Sequence, residues 1–185
     1  MHETSLQQVI TDYISGEEIE DTTYEDLRQG IARLLVEDKS YPRDVISSKV
    51  PLKFEINGLE VEYKIDFLVH CARRPAILVA FCSGAVASYL QQYLAAARIF
   101  APIPPAFVFV TDTHEGVLMR TSDGKRLGEG FAALPDYDRL CEMLHENPVP
   151  EFDEKKKAQA RKLVHAFFSL SAGCCSGNCS DDSDS

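Results

Sequence analysis

The chain has 185 residues, 45% hydrophobic and 26% charged, the balance of an ordinary globular domain rather than a repeat array, a collagen or a disordered tail. Its net charge of −10 is unevenly placed: residues 1–26 carry eight acids and no Lys or Arg, and three more acids fall at 181–184, which leaves 27–179 at +1. A pI near 4.9 excludes binding nucleic acid by bulk attraction, because Lys and Arg on phosphates supply most nonspecific affinity. A local basic groove stays compatible with a neutral body.

Apolar runs fall short of the roughly 20 residues needed to cross a bilayer, and no basic-plus-apolar leader opens the sequence, so no membrane association or export is expected. Cys71, Cys82 and Cys141 stand singly and do not read as a disulfide framework. The expected setting is the reducing cytoplasm.

In chain order, residues 1–21 read as a loosely attached acidic leader with one amphipathic stretch at 6–14. Thr22 or Thr23 offers an N-cap, Glu25 and Asp26 suit a first helical turn, and Leu27, Ile31, Leu34 and Leu35 recur at helical spacing, which predicts a helix ending before Tyr41-Pro42. Two extended runs, 50–56 and 59–70, flank Asn57-Gly58, a strong hairpin signal. In the second run Leu59, Val61, Tyr63, Ile65, Phe67 and Val69 are expected on one face, with Glu60, Glu62, Lys64 and Asp66 on the other.

Residues 76–82 form a continuous apolar run of strand length, as in a strand covered on both faces. A helix over 86–100 and a second buried strand over 106–111 complete a crossover unit, whose strands should be parallel. A hairpin around Ser122-Asp123-Gly124 and two helices, 135–145 and 152–170, follow; the last carries an apolar stripe of Ala160, Leu163, Val164, Phe167 and Phe168. The expected organisation is an acidic leader (1–21), an α/β domain (22–147), a C-terminal helix packed on it (148–172) and a Cys/Ser/Asp-rich tail (173–185).

The order and spacing of several segments resemble the N-terminal domain of type I restriction enzyme R subunits, a branch of the PD-(D/E)xK restriction-endonuclease-like superfamily. They are Glu25-Asp26-Leu27-Arg28-Gln29, Lys64-Ile65-Asp66-Phe67, the strand 77–81, Gln92 through Ala97-Arg98, Phe109-Val110-Thr111-Asp112 and residues 121–127, spanning about Glu25 to Pro135. The resemblance implies a restriction-endonuclease-like fold: a mixed central sheet, hairpin plus β-α-β crossover, flanked by helices.

It also implies a magnesium site built from an Asp closing the hairpin strand and a Glu-x-Lys on the next strand. Asp66 fits the first position, but the Glu and Lys slots fall on Ala80 and Cys82. A methyl group cannot ligate a hard cation, and a thiol replaces neither a carboxylate nor an ammonium. Gln92 matches a family glutamine, while the tyrosine one turn later is Ala96. The implied role is a catalytically inactive binding or scaffolding module associated with DNA or a restriction-type protein partner, with no cofactor expected. The oligomeric state is open, and a homodimer is compatible.

Two rival readings stand beside it. A rearranged magnesium-dependent nuclease would use Asp66, Glu25 or Glu62, and Lys64; against it, Glu60, Glu62 and Lys64 read as a solvated strand face, and Asp66 as a turn cap or a partner of Arg28. A thiol or metal-binding protein would hold zinc on Cys174, Cys175 and Cys179, with His165 as a fourth ligand; the close spacing and the Gly, Ser and Asp around it argue against a structural site. Cys82 as a nucleophile would need a depressed pKa. Arg73, Arg74, Arg98 and Lys49 are candidates for a phosphate-facing patch, and Lys155, Lys156 and Lys157 for a solvated helix face.

Overall fold

The computed structural model describes residues 4–149 and 151–173. Its centre is a six-stranded mixed sheet in the order β3-β4-β5-β6-β7-β8, with strands β3 (Ile46–Ile56), β4 (Leu59–Cys71), β5 (Arg74–Phe81), β6 (Phe107–Thr111), β7 (Gly116–Arg120) and β8 (Arg126–Glu129). Asn57 and Gly58 take φ of 51° and 76°, the left-handed pair that a two-residue hairpin between β3 and β4 requires. β5 and β6 pair in parallel, Ile77 opposite Phe107, and every other ladder of the sheet is antiparallel. The crossover between them is a 3₁₀ turn (Val86–Ser88) and helix α2 (Leu90–Ile99).

Two layers cover the sheet. On one face α2 and α4 (Glu154–Gly173) pack over Leu78, Ala80, Val108 and Val110; Ala160 and Val164 of the predicted stripe are buried there, whereas Leu163 of that stripe faces outward and is exposed. On the other, α1 (Glu25–Arg33), the π-helical turn that follows it (Leu34–Asp38) and α3 (Tyr137–Glu146) bury Ile31, Leu35, Leu140 and Leu144 against Ile77, Val79, Phe107 and Phe109. Because β5 and β6 contribute to both cores, residues 76–81 and 107–110 are apolar without interruption.

Four expectations are corrected. The apolar face of β4 is not continuous: Val61, Tyr63 and Ile65 join the α2/α4 core, whereas Phe67 and Val69 join the α1/α3 core. The change falls where Lys49, in the facing strand, takes φ 51° and interrupts the pleat, and it puts Asp66 at the boundary between the layers. The segment before α1 is a structured hairpin, β1 (Ser5–Thr11) with β2 (Glu18–Thr22), and it docks through buried Asp12. Helix α1 is capped at Tyr24, not Thr22 or Thr23: Thr22 ends β2, the Thr23 hydroxyl accepts from Thr4 N, and the Tyr24 ring packs 5.5 Å from Phe81. Finally, Cys71 and Cys141 form a disulfide. They are 70 positions apart, but α3 lies against the end of β4 and brings their Cα atoms to 5.6 Å, inside the range a disulfide spans. Cys82 is free and buried.

Candidate functional site

Helix α1 presents Glu25, Arg28 and Gln29 on one side, because positions three and four apart share a helix face. That face looks toward the boundary on β4 where Asp66 sits. Arg28 Nε donates to Asp66 Oδ1 at 2.6 Å, and its guanidinium lies 5.9 Å from the centre of the Phe81 ring. The other oxygen, Oδ2, accepts the Phe81 backbone N–H at 2.8 Å. Glu25, 1% exposed, is held by Lys49 Nζ at 3.0 Å, Gln29 Nε2 at 3.0 Å and Arg28 Nη1 at 3.5 Å. The positive φ of Lys49 therefore coincides with the point where its ammonium reaches the buried carboxylate.

The network continues into the N-terminal hairpin. Asp12 Oδ2 accepts from Gln29 Nε2 at 3.2 Å, while Oδ1 accepts from Ser48 Oγ at 3.2 Å, Ile14 N at 3.0 Å and Ser15 N at 2.7 Å. Gln29 Oε1 in turn accepts the Tyr13 N–H at 2.7 Å. Burial works to raise the Asp12 pKa, but the donors from Ser15, Gln29 and Ser48 outweigh it and hold the carboxyl below its usual range. Three acids and two cations thus share one partly buried set of hydrogen bonds.

On the far side of Asp66 the surroundings are apolar. The ladder pairs Leu68 with Leu78 and Phe67 with Val79, and just beyond it Asp66 Oδ2 accepts from the N–H of Phe81, the residue after Ala80. Ala80 is fully buried, and Cys82, 2% exposed, directs its thiol to the Gly84 carbonyl at 3.4 Å. Tyr93 Oη donates to the Phe81 carbonyl at 3.0 Å, and burial, with the Asp66 charge, raises that phenol well above its ordinary pKa. Gln92 donates to the Ser88 carbonyl at 2.8 Å, and its Oε1 is buried with no partner among the described residues.

These elements occur in a recognisable order. The family model described as Type I restriction enzyme R protein N terminus (HSDR_N) matches residues 23–135, from the start of α1 to just before α3. The chain belongs to this family. No curated protein and no solved structure matches it.

The PD-(D/E)xK resemblance implies magnesium, which demands several hard oxygen ligands with room for water. The donor set around Asp66 does not fit that ion. Both Asp66 oxygens are engaged, one by a guanidinium, and both Glu25 oxygens accept from cationic or amide nitrogens. A divalent ion would have to displace Arg28, and the side chains of Ala80 and Cys82 would still offer it no oxygen. Among the described residues no group of three His, Cys, Asp or Glu side chains is arranged to hold a metal.

The remaining sequence candidates are dispersed. Lys64 is exposed and sits opposite Pro51 on the outer part of the hairpin, and Glu62 pairs with Lys53 at 3.0 Å on the same solvated face. Burial pushes the Cys82 thiol up to about 11, the reverse of what a nucleophile needs. His165 Nδ1 lies 2.8 Å from Tyr63 Oη, which ties α4 to β4. Cys174, Cys175 and Cys179 lie outside the described residues. The four-cation patch does not form: Lys49 serves Glu25 on the α1 side, while Arg98 belongs to the α2/α4 layer. Asp12 and Ser48 are the members of the network that sequence reasoning misses, while Lys49 is expected there to face phosphate and Gln29 enters only as part of the segment opening α1, one helical turn after Glu25.

Proposed function

We propose that this chain is a restriction-endonuclease-like domain that has exchanged metal-dependent hydrolysis for an internal ion-pair network, and that it acts as a protein-binding or scaffolding module in a restriction-modification setting. The observation that carries this reading is the Arg28–Asp66 pair: a fixed organic cation neutralises the carboxylate that the family implies as a metal ligand. Lys49 does the same for Glu25. Cations spent inside the fold are lost to phosphate contacts, and the chain as a whole carries −10. A restriction-type protein partner is therefore favoured over the DNA backbone.

No helix among the described residues is long and apolar enough to cross a membrane, and a cytoplasmic setting belongs to the same reading. Supercoiled plasmid incubated with pure protein and magnesium or manganese tests the loss of hydrolysis. The plasmid stays supercoiled on this account; nicking that disappears in Asp66→Ala overturns it. A DNA titration across salt concentrations tests the choice of partner. Binding that weakens steeply with salt would assign phosphate contacts and contradict the protein-partner reading.

A further inference from the structure

On the α2/α4 side of the sheet, away from the network, lies a cavity of about 330 Å³ whose lining includes Gln91, Arg98, Ser122, Lys156, Gln159 and Leu163. That volume is at the lower end of small-molecule sites, which run from roughly 300 to 1,000 Å³.

Arg98 stands apart from the other arginines of its kind in this chain. Arg28, Arg98, Arg120 and Arg161 are the half-buried arginines, and three of them grip a carboxylate: Arg28 on Asp66, Arg120 on Asp123 at 2.6 Å and Arg161 on Glu154 at 3.3 Å. Arg98 has no carboxylate partner among the described residues. Its Nε donates to the Thr121 carbonyl at 3.0 Å, and its guanidinium lies 5.6 Å from the centre of the Phe152 ring. Asp123 lines the same cavity, but it gives both oxygens to Arg120 and one of them also to Lys125 N. Burial accordingly lowers the Arg98 pKa from its ordinary value, with Asp123 opposing the shift.

Lys156 adds a second cation from the first turn of α4, held only loosely by Asp153 at 3.8 Å. Ser122, Gln91 and Gln159 contribute neutral donors, and Leu163, 42% exposed, supplies an apolar wall. A guanidinium fork without its own anion, a nearby ammonium and several neutral donors are the groups that recognise an oxyanion. The wall gives a carbon body somewhere to lie.

We propose that this cavity binds a small organic phosphate, with Arg98 and Lys156 on the phosphate oxygens and Leu163 against the carbon body. The site is independent of the Arg28–Asp66 network, so it stands or falls separately from the loss of hydrolysis.

Calorimetric titration of the full chain with phenyl phosphate, inorganic phosphate and phenol tests it. Phenyl phosphate should bind at least about fivefold tighter than inorganic phosphate, since the ring adds apolar contact, and phenol should not saturate. Arg98→Gln should weaken phenyl phosphate by about tenfold or more, and the exposed, solvent-screened Lys156→Gln by about threefold. Arg98 also holds the Thr121 carbonyl, so melting temperatures are measured alongside; should Arg98→Gln unfold, Lys156→Gln decides. Absence of saturable phosphate binding, or binding indifferent to Lys156→Gln, overturns the site. Equal affinity for inorganic and phenyl phosphate overturns the organic ligand.

Discussion

Arg28 Nε stands 2.6 Å from Asp66 Oδ1, joining the first turn of α1 to the middle of β4 across 38 positions of chain. The side chains are 16% and 13% exposed, so water screens the pair only partly. Removing one member leaves the other charge buried without its main partner, which costs more than the pair itself contributes. Arg28→Ala should therefore lower unfolding free energy by about 2–4 kcal/mol in urea titration, and the Arg28→Ala/Asp66→Ala double variant should recover at least about 1 kcal/mol of the summed loss. Additive losses would mean that the two charges do not act as a unit.

The Cys71–Cys141 disulfide closes a loop of 70 residues and staples α3 to the end of β4. Reduction, or the Cys71→Ser/Cys141→Ser variant, should destabilise the protein by about 2–4 kcal/mol, chiefly by freeing the unfolded chain. The melting temperature with and without dithiothreitol measures it. Equal values would show that the bond contributes nothing.

Cys82 should resist alkylation in the folded protein at about pH 8, because burial raises its pKa to about 11 and thiolate is scarce there. Its folded pKa is raised, so the neutral thiol's share of stability is present below the unfolded value of about 8.5 and is lost as pH climbs through the folded one. Iodoacetamide labelling read by peptide mass spectrometry checks the first part. Rapid modification of Cys82 at that pH would refute the assignment of a buried, protonated thiol.

Asp12 has the opposite sign. Its folded pKa is depressed, so it contributes stability above the unfolded value of about 3.9 and loses it as pH falls through the folded value. Between about pH 5 and pH 2 the wild type should lose more stability than Asp12→Asn, whose side chain does not titrate. Parallel acid dependence of the two proteins in urea melts would contradict this role.

Local features were legible in the sequence where a short stretch carries its own instruction. Asn57-Gly58 forces the hairpin through two left-handed residues, residues 76–82 announce a strand buried on both faces, and Ala160, Val164 and Phe168 mark the packed side of α4. The sequence reading of Asp66 as a partner of Arg28 is likewise met in the structure.

Features that depend on distant partners were not legible. Nothing near Cys71 indicates Cys141, because α3 brings them together. The β1–β2 hairpin exposes Leu6 and Val9 and is docked through Asp12, so its anchor is a buried acid inside an acidic stretch rather than an apolar pattern. The change of face along β4 follows from one residue of the neighbouring strand, Lys49 at positive φ, which no alternation of apolar residues in β4 encodes. That same residue turned from a candidate phosphate contact into the counter-charge of Glu25.

The proposed loss of the metal site rests on Asp66, whose carboxylate oxygens are taken up by Arg28 and the Phe81 N–H. Manganese titration followed by electron paramagnetic resonance, comparing the wild type with Asp66→Asn at low ionic strength, tests it most directly. Both proteins should give the same free-manganese curve. A stoichiometric ion taken up by the wild type and lost in Asp66→Asn would contradict it.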